Sequence, residues 1–147
     1  TLRIEMGHVA GSELDGRTVP YDNGLQGLVS KKKDFIGKRS LNREAFITDD
    51  RQKVVGVVPI DKKTSIPEGS HLVKDANAKL PNPKLGHISA SCWSVEYNNP
   101  FSLAILHDGK NMIGQKLFAL SPLRNKSIPV EIVSSHYVDP KGERVRS

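Results

Sequence analysis

Hydrophobic and polar positions follow two regimes along this chain, and the change near residue 53 predicts two kinds of structure. At the start, Leu2, Ile4 and Met6 alternate with Arg3 and Glu5. Period two is the mark of a strand, yet the same residues would close a helix capped by Gly7. Leu, Arg, Glu and Met all favour helix, so the helix end is preferred. Gly11 to Gly16 is a polar loop, and Thr18-Val19-Pro20-Tyr21-Asp22 continues it in extended form. Leu25 to Ser30 reads as a short strand or helix edge. Gly37 to Phe46 is predicted to be helical, with Leu41, Ala45 and Phe46 on one face. Thr48 to Gln52 is a polar break.

Beyond the break, short apolar runs alternate with Gly, Pro and Asn turns. Strands are predicted over Val54 to Ile60, His71 to Val73, Leu85 to Ser94, Phe101 to Leu106, Leu117 to Leu120 and Ile128 to Val133. Asp108-Gly109 is a strong turn signal, and Asp75 to Pro83 reads as a polar hairpin tip. Such a series defines a β-barrel or sandwich over about residues 53–138. The tail from Tyr137 to Arg146 is polar and is expected to end the parent protein.

Composition adds the expectation of a fragment. The 147 residues suffice for a core, but hydrophobic content of 37% and aromatic content of 5% are low. That suits a piece that buries one face against more protein. Residue 1 is Thr, and it opens inside an apolar-periodic run, so a longer polypeptide is expected to precede it. Apolar surface is then expected around Leu2, Ile4 and Leu28.

The net charge of +6 favours an anionic ligand, without choosing between nucleic acid, phosphate and carboxylate. Phe and Tyr are scattered and not interleaved with basic residues, so nucleic acid is not expected. The single cysteine, Cys92, forbids an internal disulfide and makes a reducing, cytoplasmic setting the default. No apolar run approaches the ~20 residues that span a bilayer, so no membrane is expected.

Dinucleotide and phosphate-loop fingerprints are both missing. The five histidines lie at least 16 residues apart in sequence, and no metal is expected. Cys92 is read as a small buried thiol beside Trp93. Lys31-Lys32-Lys33 stands between Val29 and Phe35-Ile36, a cationic cluster suited to gripping an anion, or else an ordinary solvated turn. Glu5 sits between Ile4 and Met6, where an unpaired charge is costly. Its carboxylate could accept two N–H groups from a flat heterocycle such as a pterin or guanine. A salt bridge to Arg3 or a lysine is the competing reading.

An ordered series of short motifs adds a resemblance. Leu2-Arg3-Ile4-Glu5-Met6-Gly7, Leu14-Asp15-Gly16, Thr18-Val19-Pro20-Tyr21, Gly24-Leu25 and Lys32 to Arg39 follow one another, and Val55-Gly56-Val57, Pro67-Glu68-Gly69, Gly86 to Ser91 and Tyr137 to Arg144 continue the series. Together they resemble the second half of the glycine-cleavage T-protein (aminomethyltransferase) family, and within it the C-terminal part of the sarcosine oxidase alpha subunit. Two features depart from that family: the Gly7 to Asp15 loop is shorter and lacks an aromatic, and Gly27 replaces a bulky residue.

The resemblance implies an α+β, mostly β, chain. Residues 1–50 would be a remnant of a folate-binding domain, and residues 51–147 a C-terminal antiparallel β-barrel. It implies tetrahydrofolate as cofactor, with Glu5 holding the pterin ring and Lys31 or Lys32 the folate tail. The family's catalytic aspartate would lie upstream, so no catalytic residue and no complete active site are expected here. The parent would oxidise sarcosine and pass the one-carbon unit to tetrahydrofolate. FAD, FMN or NAD would belong only to the full assembly. Expected partners are the missing N-terminal part of the chain and the other sarcosine oxidase subunits. The alternatives are a free-standing aminomethyltransferase or folate-dependent demethylase, and, from another class, a basic β-barrel that binds RNA or a protein partner.

Overall fold

The computed structural model describes residues 1–77 and 84–146. Six strands run as predicted, each within a few residues of its expected bounds: β1 (Lys53–Pro59), β2 (His71–Val73), β3 (Gly86–Ser94), β4 (Asn99–Leu106), β5 (Lys116–Ser121) and β6 (Lys126–Val133). They close into an antiparallel barrel in the order β1-β4-β3-β2-β5-β6, with β6 returning to β1. Among the described residues every strand has a neighbour on both sides, so the barrel has no edge strand. The predicted hairpin tip at 75–83 lies partly outside the described residues, which omit 78–83.

The interior follows the period of two. On β6, Ile128, Val130 and Ile132 are buried while Lys126, Pro129 and Glu131 are exposed. Val55, Val57, Leu72, Ile88 and Leu106 meet them inside. Strand β4 breaks the alternation because it is buried throughout. Its outer side is covered as well, by a second cluster in which Ile4, Val58, Ala90, Phe101 and Leu103 pack together. A register shift in β3 between Ile88 and Ala90 serves this arrangement. The extra residue at Ser89 turns Ala90 to the outer cluster, although Ile88, two positions earlier, faces inward.

The cover over the outer face is α1 (Leu2–Glu5), one turn long, with the segment 134–138 beside it. The helix end is the reading of residues 1–6 that the structure adopts. Gly7 follows it at φ +68°, and a Cβ there would stand 2.7 Å from the Ser135 carbonyl oxygen, so the close approach of these segments requires glycine. Ile4 thereby corrects an expectation: it is buried, because α1 lays it on the outer face of the barrel, while Leu2 and Leu28 are 78% and 81% exposed.

Two other local readings change. Leu25 to Ser30 contains a 3-10 turn at Gln26–Leu28, not a strand. The stretch 37–46 is split into α2 (Lys38–Leu41) and α3 (Glu44–Ile47), with Arg43 extended between them. Neither has a side-chain cap or a buried residue, and a single turn is all that such a segment sustains. A last turn, α4 (Glu143–Arg146), ends the described chain. No helix among the described residues is long and apolar enough to cross a membrane.

Candidate functional site

Glu5 closes α1 and is buried between the barrel and the 134–138 segment. Its Oε1 accepts the Val95 N–H at 3.0 Å, beyond the end of β3. Its carbonyl accepts the N–H groups of Tyr137 and Val138, each at 3.2 Å. Oε2 has no hydrogen-bond partner among the described residues. Nor is it one of the sealed, unpartnered side-chain atoms, which are Glu13 Oε1 and Asn23 Oδ1. The carboxylate thus holds one backbone donor and keeps an oxygen for a second. The salt bridge considered for it to Arg3 does not form, because Arg3 pairs with Glu13 at 3.3 Å.

Glu13 was hidden in what reads as a polar loop. It is fully buried, and its Oε2 also accepts the Ala10 N–H at 2.8 Å. Its carboxylate reaches back three residues to cap the Ala10 N–H, but Ala10 has no side-chain acceptor to complete a capping box, so the sequence carries no such signal.

The three lysines are exposed on a bend. It is the backbone that is held: Lys38 Nζ donates to the Lys33 carbonyl at 2.8 Å and to the Lys31 carbonyl at 3.5 Å. Ser30 Oγ accepts the Lys33 N–H at 2.9 Å. A fourth lysine therefore organises the loop, and the ammonium groups of Lys31, Lys32 and Lys33 have no carboxylate partner among the described residues. Lys31 lines a groove of about 500 Å³ with Tyr21, Gln26, Phe35 and Leu41. Neither Lys32 nor Glu5 lines it, so the fold brings Lys31 to an aromatic wall but does not bring Glu5 there.

Cys92 is half-buried rather than buried, against the outer cluster. Burial, and then the charge of Glu5, push its thiol up, which keeps it protonated and poorly nucleophilic.

Sequence distance also concealed a histidine pair. The β2–β3 register sets His71 opposite His87. Burial, followed by Lys84, His71 and Arg17, pushes the His87 imidazole down, against a smaller opposite pull from Glu13. A depressed histidine adds stability that is complete above its unfolded pKa of 6.5 and is lost as pH falls below it. Hydrogen exchange at the Ile88 amide, which donates to Ser70, is expected to accelerate between about pH 7.5 and about pH 5.5 more in the wild type than in His87→Gln, after correction for intrinsic exchange. Equal acceleration in both would remove His87 as the cause.

A further buried polar network lies at the start of β1. Asp22 is buried, and Arg51 grips it with Nη2–Oδ2 at 2.6 Å and Nε–Oδ1 at 3.0 Å. Lys53 Nζ adds a contact at 3.3 Å, and the Val19 N–H donates at 3.1 Å. Arg51 also donates to the carbonyls of Ala45 and Arg17, tying α3 and the 17–22 loop to the start of β1. No periodicity marks these residues, since each is a charged side chain in a loop or at a strand end.

No protein-family model matches this chain. Among solved structures, it superposes on glycine cleavage system aminomethyltransferase T from Bartonella henselae with a TM-score of 0.73 and 20% identity, over 94% of this chain and 37% of that one. The fold is therefore that of part of an aminomethyltransferase T. In sequence, the chain is 39% identical to the sarcosine oxidase alpha subunit of Rhizobium meliloti (strain 1021), over 98% of its own length. It is 34% identical to that of Corynebacterium sp. (strain P-1), over 97%. It is thus a homologue, along nearly its whole length, of one segment of sarcosine oxidase alpha subunits, and it spans 15% of the length of these relatives.

Proposed function

We propose that this chain is the folate-facing C-terminal part of a sarcosine oxidase alpha subunit, whose parent demethylates sarcosine oxidatively and delivers the one-carbon unit to tetrahydrofolate. The observation that carries the reading is the 39% identity to such a subunit across 98% of the chain. Residues 1–50 form the remnant of the folate domain and residues 51–147 the C-terminal barrel domain in this reading. The remainder of the subunit and the other oxidase subunits complete the active site, in a cytoplasmic enzyme that carries its flavin and NAD elsewhere.

The residues present suit tetrahydrofolate in two respects. Glu5 has one carboxylate oxygen spare in a buried setting, where a pterin N–H would find a charged acceptor. The groove at Lys31 offers the Tyr21 and Phe35 rings with cations at its edge, a match for an aryl group that ends in carboxylates. In this role Glu5 orients the pterin, and Lys31 and Lys32 attract the tail. Bound tetrahydrofolate supplies the amine that accepts the one-carbon unit.

The test is tetrahydrofolate titration of the intact protein by calorimetry. Glu5→Gln keeps an oxygen for the Val95 N–H and loses the charge, so binding is expected to weaken about tenfold or more with folding intact. Lys31→Glu with Lys32→Glu is expected to weaken it by a similar factor and to reduce its salt dependence. Wild-type protein that binds no folate would sink the reading. Binding indifferent to Glu5→Gln but lost in the lysine variant would sink only the role of Glu5.

A further inference from the structure

Glu5 is held from two sides, and one of them belongs to the barrel. The 134–138 segment fixes its backbone, since the Glu5 carbonyl accepts the Tyr137 and Val138 N–H groups. The turn after β3 fixes its carboxylate, because the Val95 N–H donates to Oε1 at 3.0 Å. This is the carboxylate's one hydrogen bond among the described residues. The turn itself is well secured. Ser94 is sealed from solvent, and its Oγ accepts the Tyr97 N–H at 3.3 Å. Tyr97 packs on Tyr137 with ring centroids 4.6 Å apart, and Glu96 pairs with Arg144 at 2.8 Å. Asn98 closes the turn at φ +49°, a left-handed conformation that asparagine tolerates. Turn, tail and α1 thus make a closed ring of contacts around residue 5.

The Val95 bond decides which atom residue 5 offers to a ligand. A backbone N–H only donates, so the side-chain atom that meets it must be an acceptor. In glutamate both ends are oxygens, and the one left over, Oε2, is again an acceptor. Glutamine has a single oxygen. The Val95 N–H claims it, and the NH2 group is turned towards the ligand. A ligand N–H then faces a donor where it needs an acceptor.

We infer that Val95 is a positioning residue that sets ligand specificity through Glu5: its N–H occupies Oε1 and makes residue 5 select a ligand that presents an N–H. The barrel's β3–β4 turn is thereby part of the binding site. The ligand named here rests on the folate reading, whereas the lock rests on the Glu5–Val95 bond.

Tetrahydrofolate titration of the intact protein by calorimetry tests it. Val95→Pro deletes the N–H at a position whose side chain is 79% exposed. Where the proline ring disturbs the turn, the α-hydroxy acid analogue of valine at position 95 replaces the N–H by an ester oxygen and keeps the side chain. In the wild-type background either change is expected to weaken binding about threefold or more. Added to Glu5→Gln, the same change frees the amide to turn its oxygen outward, and is expected to restore about threefold or more of the lost affinity. Simple damage to the turn lowers affinity in both backgrounds. Loss or no change in the Glu5→Gln background would therefore overturn the inference and leave the folate reading standing. Hydrogen exchange reads the lock without folate: the Val95 amide is expected to be protected in wild type and Glu5→Gln, and to exchange about tenfold faster in Glu5→Ala. Equal exchange in all three would overturn the inference alone. A protected Val95 amide in a wild type that binds no tetrahydrofolate would overturn the folate reading, and with it the ligand assigned here.

Discussion

Phe101→Ala is expected to lower the unfolding free energy of the barrel by about 3–5 kcal/mol, the usual cost of deleting a fully buried aromatic ring. Phe101 is sealed from solvent on the outer side of β4, where its ring packs with Ile4, Val58 and Leu103. It stacks on Tyr137, with ring centroids 4.3 Å apart and planes 6° from parallel. Tyr137 in turn meets Tyr97 at 4.6 Å and hydrogen-bonds Asn99, whose amide donates to the phenol oxygen at 3.0 Å. The backbone of Tyr137 donates to the Glu5 carbonyl. Truncating Phe101 therefore empties a core position and also frees the segment that holds Glu5. Phe101→Leu keeps much of the volume but not the stack, and should cost less than half as much. Urea unfolding measures the first effect. Hydrogen exchange at the Tyr137 and Val138 amides measures the second, and amides that stay protected in Phe101→Ala would show that Glu5 is positioned without this stack.

That same cluster shows where sequence reading reaches its limit. The six strands were legible because a half-buried strand writes its geometry as period two or as an apolar run, and turns write theirs as Gly, Pro and Asn. Barrel closure was one of two choices, since alternation looks alike in a barrel and a sandwich. The outer cluster was not legible: Phe101, Tyr97 and Tyr137 are apart in sequence, and Tyr137 opens what reads as a polar tail. Ile4 was assigned to exposed surface for the same reason, because its cover comes from long-range packing. Around the candidate site, Glu5 stood out as a charge amid apolar neighbours, whereas Glu13 and Asp22 did not. A buried carboxylate in a loop is recognisable only once its partners are in place.

Arg51→Met is expected to be the other severe substitution, at about 3 kcal/mol or more, because it strands a buried carboxylate. Asp22 is almost wholly enclosed, and burial alone would raise its pKa. The Arg51 hydrogen bonds, the Val19 N–H, the Arg51 charge and Lys53 outweigh that and hold the carboxyl below the usual carboxylate range. A depressed carboxyl contributes stability that is present above its unfolded pKa of 3.8 and is lost as pH falls through the folded value, so acid should loosen this joint. In Arg51→Met the remaining partners are Lys53 at 3.3 Å and the Val19 amide. The joint also carries the Val54 N–H, which donates to the Asp22 carbonyl at 2.8 Å and fastens the loop to β1. Exchange at the Val54 amide should therefore accelerate with the loss of global stability. Pairing Arg51→Met with Asp22→Leu removes both charges, so the double variant should be less destabilised than the sum of the two single ones by about 1 kcal/mol or more. Strict additivity would mean that the pair contributes no coupling, and that Arg51 stabilises the joint through the Ala45 and Arg17 carbonyls and its position 5.2 Å above the Phe46 ring.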